Sequence, residues 1–270
     1  MNYRGDFFIY NGAISPISQI ENVVITNGKS IYEVVRVYNN RVAFLTEHWA
    51  RMQQSASISK IQIPEIETLN DSLFCLIEKT TINYGNIEIV VNNPTDWSMR
   101  FIPHNYPTEQ QYSDGVPTKT YEAYRENPNA KVKLLTLREQ VGRFIESNGI
   151  YEAIYTNNNL ILEGSRTNIF FIQKNIFYTP QVNAVLPGIT RQIVIKLLDE
   201  NNFQLVENPI QVSQLPDFDA AFLTGTSPEI LPIKTIDTIY YNTKNKLLNQ
   251  IANAYRDALF NTASQHKIHY

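Results

Sequence analysis

The chain has 270 residues, of which 43% are apolar and 18% charged, and its formal net charge is −3. This length allows one large or two modest domains, and the composition is typical of a soluble globular protein. The slightly acidic balance and the absence of a basic run argue against a nucleic-acid partner, because binding to a phosphate backbone depends on clustered Lys and Arg.

The N-terminus and the cysteine content bear on the cellular compartment. Arg4 and Asp6 bring charge at once and no apolar segment follows, so we expect no signal peptide, and no apolar run approaches the roughly 18 residues of a membrane span. Cys75, between Phe74 and Leu76, is interpreted as a small buried hydrophobe. A single cysteine excludes an internal disulfide and is compatible with the predicted cytoplasmic location.

Two hairpins are predicted at the start of the chain. Asn11-Gly12 joins apolar residues 7–10 to residues 13–14 and supplies the positive φ of a type I′ turn. Residues 32–38 alternate as a strand, turn at Asn39-Asn40 and return over residues 41–45. Thr46 is the predicted N-cap of a helix through about residue 59, which carries His48 and Arg51 on one face. A helix over residues 67–83, stopped near Gly85, and a strand over residues 87–91 follow.

The pattern is lost between residues 92 and 112, and we place the domain boundary there, giving domains 1–109 and 110–270. In the second half, Thr136 and Glu139 form a capping box for a helix that ends at Gly149. The other elements predicted there are strands at 118–124, 152–155, 160–162, 168–172, 176–178, 203–206 and 220–223, a helix after Thr190 and a C-terminal helix over about 247–259. Strands and helices in two hairpin-led halves predict a two-domain α+β fold.

Three features of the second half suggest one kind of chemistry. Glu163 ends an apolar strand, and another apolar strand begins soon after it, so the carboxylate is expected to have a partner. Gly188 to Thr190 open an amphipathic helix, whose free N–H groups and dipole favour an anion such as phosphate. Lys131 and Lys133 lie upstream, and they point the same way if that segment is extended. A lysine, a carboxylate and a phosphate cradle are the groups that pyridoxal phosphate requires.

The sequence resembles the fold-type IV pyridoxal-phosphate enzymes, which include branched-chain aminotransferases, D-amino acid aminotransferases and 4-amino-4-deoxychorismate lyases. The resemblance covers most of the chain, in the family's order and spacing. The matching segments are residues 32–39, 48–52 with 55–56, 163–170, 186–191, 224–227 and 229–230.

The resemblance implies a small N-terminal α/β domain, a larger domain with a pseudo-barrel of strands flanked by helices, and roles for individual residues. Lys131, 32 residues before Glu163, is at the family's spacing for the lysine that holds the cofactor as an aldimine and moves the substrate proton, whereas Lys133 is two residues too close. Glu163 is implied to pair with the pyridine nitrogen, and Tyr32 to line the catalytic pocket and contact substrate. The other implied cofactor-binding residues are Arg51, Ser165, Thr167, Ile189, Thr190 and Thr226.

The leading hypothesis is an aminotransferase that exchanges an amino group between an amino acid and a 2-oxo acid. The alternatives are a lyase that eliminates pyruvate from aminodeoxychorismate and a catalytically silent relative that acts as a binding protein. No metal is expected. The resemblance also implies a homodimer with the active site between the two domains.

The substrate side departs from the family pattern. Asn92-Asn93-Pro94 stands where many relatives have an Arg-Gly pair. Arg100 and His104 only loosely match an arginine and a histidine that bind the substrate carboxylate in the D-amino acid enzymes. Arg100 and Arg166 are the candidate substrate-binding arginines, and Arg166 stands where relatives usually have a small residue.

Overall fold

The computed structural model describes residues 4–22, 30–104, 106–125, 128–132 and 135–265, and it divides into two compact units. The first unit contains the described residues of Met1–Asn105, Ala130–Lys133 and Leu259–Tyr270, and the second those of Tyr106–Asn129 and Leu134–Ala258. A single cut between residues 109 and 110 therefore does not reproduce this division, because the short segment around Lys131 groups with the first unit. The mixture of helices and strands confirms the predicted α+β class.

The first unit is built on a six-stranded sheet with the order β2-β1-β6-β5-β3-β4. Its strands are β1 (Phe7–Tyr10), β2 (Ala13–Pro16), β3 (Ile31–Tyr38), β4 (Arg41–Val42), β5 (Tyr84–Asn93) and β6 (Asp96–Ile102). Helices α1 (Leu45–Ser59) and α2 (Ile66–Lys79) supply apolar side chains to its core. Both predicted hairpins are present, and Asn11 and Gly12 have φ of 48° and 82°, as a type I′ turn requires.

Three predictions for this unit were wrong in detail, and one strand was missed. The residue before α1 is Phe44, in a left-handed conformation, and Thr46 lies inside the helix. Helix α2 ends at Lys79, and Gly85 belongs to β5. Strand β6 was missed, because the Asn-Pro turn before it and the polar residues after it hid its alternation. Cys75 is exposed, because the helical period places it opposite Leu69, Leu73 and Leu76.

The second unit contains a ten-stranded sheet with the order β12-β11-β10-β14-β15-β7-β8-β9-β13, in which β16 pairs with β15. Its strands are β7 (Val116–Glu122), β8 (Glu152–Asn157), β9 (Leu160–Gly164), β10 (Asn168–Gln173), β11 (Ile176–Thr179), β12 (Gln204–Glu207), β13 (Ile210–Gln211), β14 (Ala220–Gly225), β15 (Glu229–Ile236) and β16 (Ile239–Tyr240). Its helices are α3 (Glu109–Asp114), α4 (Leu135–Asn148), α5 (Ile189–Glu200) and the part of α6 (Lys246–Gln265) that precedes residue 259.

Most predicted elements of this unit are present, and α3, β13, β15 and β16 were not predicted. Helix α4 begins at Leu135, so Thr136 lies inside it, whereas Gly149 ends it with φ of 60°, as predicted. Strand β15 was missed although it pairs with both β14 and β7. Pro228 and Pro232 interrupted its apolar pattern, since proline is rare inside central strands. Within the described residues, no helix is long and apolar enough to cross a membrane.

Candidate active site

In the first unit, a buried carboxylate joins β3 to α1. Glu33 is 0% exposed and accepts hydrogen bonds from Nε of Arg51 to Oε1 (2.8 Å) and from Nη2 to Oε2 (2.6 Å). His48 Nδ1 lies 2.8 Å from Oε2, and it acts as the donor because an ionised carboxylate can only accept. The paired interaction with Glu33 fixes the plane of the Arg51 guanidinium.

These contacts set the protonation states of both partners. Burial alone would raise the pKa of the Glu33 carboxyl, but Arg51 and His48 outweigh it and hold the pKa well below its usual range. Burial lowers the pKa of His48, and the charges of Arg51 and Lys131 lower it too. The hydrogen bond and charge of Glu33 raise it, but the net shift is downward. Glu33 is therefore charged and His48 neutral at pH 7.

Lys131 lies beside Tyr32 in the same unit. Its Nζ is 4.7 Å from the centroid of the Tyr32 ring, and its carbonyl accepts from the Tyr32 N–H at 3.1 Å. Its own N–H donates to Oγ of Ser55 (3.2 Å), one turn after Arg51 on α1. The structure thus brings together Tyr32, Arg51 and Lys131 from three separate segments, while Lys133 lies outside the described residues.

The loosely matched residues Arg100, on β6, and His104, after it, have partners in the first unit. Arg100 Nη2 lies 3.0 Å from Oε2 of Glu88 on the neighbouring strand β5. Arg4 Nη1 lies 2.9 Å and 2.7 Å from the two ring nitrogens of His104, whose pKa is lowered by burial and by the charge of Arg4. Arg100 therefore has a carboxylate counter-ion within its own sheet.

In the second unit, the buried Glu163 has the partner that its apolar surroundings predicted. Arg125 Nε lies 3.0 Å from Oε1, and Arg125 Nη2 donates to the carbonyl of Ser165 at 3.2 Å. The other carboxylate oxygen, Oε2, accepts from the Leu186 N–H (3.0 Å) and from the Asn168 amide (3.3 Å). Glu163 is thus held in a mixed setting of one cation and two neutral donors.

Asn168 connects this carboxylate to the segment that leads into α5. Its amide nitrogen donates both to Glu163 and to the Leu186 carbonyl, the latter at 2.9 Å. A Cβ added at Gly188 would lie 2.1 Å from Asn168 Oδ1, so glycine is required here for close approach. The turn before α5 is therefore fitted to Asn168.

Tyr155 on β8 is a neutral neighbour of this group. Burial raises the pKa of its phenol to about 12, although the charge of Arg125 acts in the opposite direction. Tyr155 therefore keeps its proton at any working pH.

A second buried carboxylate, Glu152 on β8, shapes the turn between β9 and β10. Its Oε1 accepts from N–H and Oγ of Ser165 (3.1 and 2.6 Å) and from the Ala153 N–H (3.0 Å). Its Oε2 accepts from the Arg166 N–H (3.2 Å) and from Oγ1 of Thr167 (3.0 Å). The hydroxyls of Ser165 and Thr167 are thus directed at Glu152, while the Arg166 side chain is exposed.

The N-terminus of α5 has the properties expected of an anion site. Ile189 and Thr190 are both 4% exposed, and the N-cap Gly188 has no side chain to bond to the first-turn N–H groups. Buried N–H groups of this kind need an acceptor, and the helix dipole favours a negative one. Thr190 Oγ1 also lies 3.3 Å from the hydroxyl of Tyr255 on α6.

The turn that carries Thr226 follows β14, which pairs with β10 through Asn168 and Thr224. A Cβ at Gly225 would lie 3.3 Å from Cγ2 of Thr167, so the two turns are neighbours. Glu229 ends this turn with φ of 54°, and its Oε2 lies 3.7 Å from Nε of Arg256 on α6. The second unit thus assembles Glu163, the 165–167 turn, the start of α5 and the Thr226 turn.

Comparison with known proteins identifies the family of the chain. The family model described as amino-transferase class IV matches residues 30–236. The D-alanine aminotransferase of Bacillus licheniformis is 25% identical over 95% of this chain and 98% of its own. The branched-chain-amino-acid aminotransferase of Pseudomonas aeruginosa is 26% identical over 88% and 87%. The structure of the Escherichia coli branched-chain amino acid aminotransferase has a TM-score of 0.86, with 22% identity over 99% and 98% of the two chains.

The chain therefore belongs to the class IV aminotransferases, which confirms the predicted family. It is a pyridoxal-phosphate-dependent enzyme.

The residues that the second unit assembles fit this cofactor. The buried start of α5 offers N–H donors to a phosphate, and its N-cap residue Gly188 has no side chain that could bond to them. Glu163 offers a buried carboxylate of the kind that pairs with a protonated ring nitrogen.

Sequence reasoning missed four residues of these groups. Glu33 stood inside a matched segment, and its position next to Tyr32 drew no attention. Glu152 begins β8 and Arg125 follows β7, positions where a charge is usually solvated, and Asn168 was noted only as the first residue of a predicted strand. The signal that could have found Glu152 is a glutamate at the start of an apolar strand, 11 residues before Glu163.

Proposed function

We propose that Lys131 carries the cofactor covalently and that Glu163 pairs with its pyridine nitrogen during amino-group exchange between an amino acid and a 2-oxo acid. The observation that carries this proposal is the buried Glu163 carboxylate, held by Arg125 and bonded to the turn that leads into α5. An ionised carboxylate only accepts, so it favours the protonated pyridine. Pyridoxal phosphate, when bound, supplies the electron sink for the reaction.

Other residues take positioning and proton-transfer roles in this proposal. The Lys131 amine moves the proton between the substrate Cα and the cofactor C4′ atom. Arg51, Ile189, Thr190 and Thr226 bind the phosphate. Arg51 is supported in this role because Glu33 and His48 already fix its orientation. Ser165 and Thr167 contribute through the turn that they build, since their hydroxyls donate to Glu152.

On the substrate side we propose contacts from Tyr32 and from the exposed Arg166. Tyr32 is supported by its contact with Lys131. Arg100 pairs with Glu88, so a substrate carboxylate would have to compete with Glu88 for it.

Lysine labelling tests the assignment. The purified holoprotein is expected to absorb in the visible range, and borohydride should fix the cofactor on Lys131. Lys131→Ala should abolish the labelling and the turnover, whereas the matched control Lys133→Ala should keep both. Label on Lys133 would overturn the assignment of Lys131, and a protein that stays colourless in excess cofactor would overturn the proposed site.

A single-turnover screen tests the reaction and its donor. Separate additions of L- and D-amino acids are expected to bleach the visible band for one stereochemical series, and a 2-oxo acid should restore it. Release of pyruvate and 4-aminobenzoate from aminodeoxychorismate, without amino transfer, would favour the lyase instead.

We also propose that the enzyme is a cytoplasmic homodimer, on the basis of the resemblance to the fold-type IV enzymes and of the single cysteine. Light scattering on the eluting holoprotein tests the dimer: a mass of one chain would contradict it. Cell fractionation tests the location.

A further inference from the structure

The hydroxyl of Tyr255 on α6 meets the start of α5 inside the second unit. Tyr255 is 2% exposed, and its hydroxyl lies 3.3 Å from Oγ1 of Thr190. At this distance one hydroxyl donates and the other accepts, and geometry alone leaves the direction open. The direction becomes fixed once an anion binds beside Thr190.

A phosphate near pH 7 offers mainly acceptors, so each protein group that bonds to it has to donate. The Thr190 hydroxyl has one proton, and if this proton goes to the phosphate the oxygen can only accept from Tyr255. The Tyr255 proton is then directed at Thr190. In this arrangement the anion, Thr190 and Tyr255 each receive or donate one hydrogen bond.

We propose that Tyr255 is a positioning residue of the phosphate site, which donates to Thr190 and directs the Thr190 hydroxyl proton at the phosphate. The inference rests on the proposed function, because it takes Thr190 as a phosphate contact.

A second contact from the same helix supports this role. Arg256, the next residue of α6, lies 3.7 Å from the Glu229 carboxylate, and Glu229 ends the turn that carries Thr226. Helix α6 therefore contacts both segments of the second unit to which phosphate binding is assigned. Arg256 is partly exposed, so the buried Tyr255 is the contact to test.

The test uses Tyr255→Phe, which removes one oxygen and keeps the ring. The matched control is Tyr241→Phe, because Tyr241 is also buried in this unit and donates to the Leu215 carbonyl at 3.1 Å, away from α5. Apoprotein of each variant is titrated with pyridoxal phosphate and, separately, with pyridoxal, which lacks the phosphate. The dissociation constant is read from the absorbance of the bound compound.

We expect Tyr255→Phe to weaken the binding of pyridoxal phosphate by about 5-fold, the size of one net hydrogen bond, and to leave pyridoxal binding within about 2-fold. Tyr241→Phe should change neither. In a Thr190→Val background, Tyr255→Phe should have no further effect, whereas Thr190→Ser should keep the 5-fold response. The competition of inorganic phosphate with pyridoxal phosphate should weaken in parallel.

Equal weakening of both compounds by Tyr255→Phe, or additive effects in the Thr190→Val background, would reduce Tyr255 to a structural residue and overturn the inference. If Thr190→Val weakens pyridoxal phosphate binding and Tyr255→Phe does not, the inference is overturned and the proposed phosphate contact of Thr190 stands. A silent Thr190→Val would overturn that contact itself.

Discussion

The two units each bury a glutamate, and they stabilise it by different means. In the first unit, Glu33 is held by the charged Arg51 and by His48. In the second unit, Glu152 accepts five hydrogen bonds from neutral groups: three main-chain N–H groups and the hydroxyls of Ser165 and Thr167. One carboxylate fixes a charged side chain, and the other fixes a stretch of backbone.

The two arrangements differ in what is lost when one of their residues is replaced. Removal of the cation from an ion pair leaves an uncompensated charge in the core. Removal of a carboxylate that accepts from neutral donors leaves those donors without a hydrogen bond, and each lost bond costs less. The first arrangement is the more sensitive to pH, because His48 titrates near neutral pH when the chain is unfolded. The predictions below test these differences.

Removal of the cation from Glu33 should have the largest effect. Arg51→Met is expected to lower the free energy of unfolding by about 3–5 kcal/mol, because it leaves Glu33 buried without its main counter-charge. Denaturant unfolding of the apoprotein measures the loss. The exposed Arg143→Met should change it by less than about 0.5 kcal/mol. The double variant Glu33→Gln with Arg51→Met should recover part of the loss, and failure to recover any would show that Glu33 is not the cause.

Neutralisation of Glu152 should cost less. Glu152→Gln keeps one accepting oxygen, but its N–H₂ group would face N–H and hydroxyl donors that need an acceptor. We therefore expect a loss of about 1–3 kcal/mol in the free energy of unfolding. The control is Glu122→Gln on β7, since the exposed Glu122 accepts one hydroxyl bond, from Thr156. If both variants behave alike in denaturant, the five bonds to Glu152 do not stabilise its turn.

Gly188→Ala tests the intermediate case of Glu163, which has one cation and two neutral donors. The added methyl would displace Asn168, and a loss of about 1–3 kcal/mol is expected from the overlap alone, since Gly188 has an ordinary φ of −62°. Gly142→Ala on α4 is the matched control: nothing lies within 4 Å of its Cβ position, and alanine should stabilise that helix by up to about 1 kcal/mol. An unchanged midpoint of thermal unfolding for Gly188→Ala would refute the close approach of Gly188 to Asn168.

The pH dependence should be the smallest effect. Because burial lowers the pKa of His48 below its unfolded value of about 6.5, the unfolded chain binds more protons below that pH, and stability falls as the pH drops from about 6.5. The depressed pKa of Glu33 contributes stability that is present above about pH 4.3 and is lost as the pH falls further. His48→Gln should flatten the loss of unfolding free energy between pH 7 and 5, because glutamine does not titrate. Unfolding midpoints across this range check it, and an unchanged slope would contradict the role of His48.

Local chemistry made much of the fold predictable. Asn11-Gly12 and Gly149 specify a turn and a helix end through positive φ, which depends on neighbouring residues alone. Phe44 and β15 were unpredictable for the opposite reason. A phenylalanine rarely adopts a left-handed conformation, and prolines rarely lie within a central strand, so only tertiary packing explains them.

The candidate site divides in a similar way. Lys131, Glu163 and the start of α5 were predicted because their chemistry and spacing are characteristic of one cofactor. Arg125, Glu152 and Asn168 were not, because the fold brings their partners to them and no spacing pattern in the sequence marks those pairs. A charge at a strand end looks solvated until its partner is known.

Asn168 has a consequence for protein engineering. One amide group connects the carboxylate assigned to the pyridine end with the loop that leads to the phosphate end, and Gly188 is shaped to accommodate it. Exchange of Asn168 or Gly188 alone would therefore disturb the positions of both Glu163 and the loop before α5. Transfer of this cofactor-binding region to another protein therefore has to include residues 163–190 as one continuous segment.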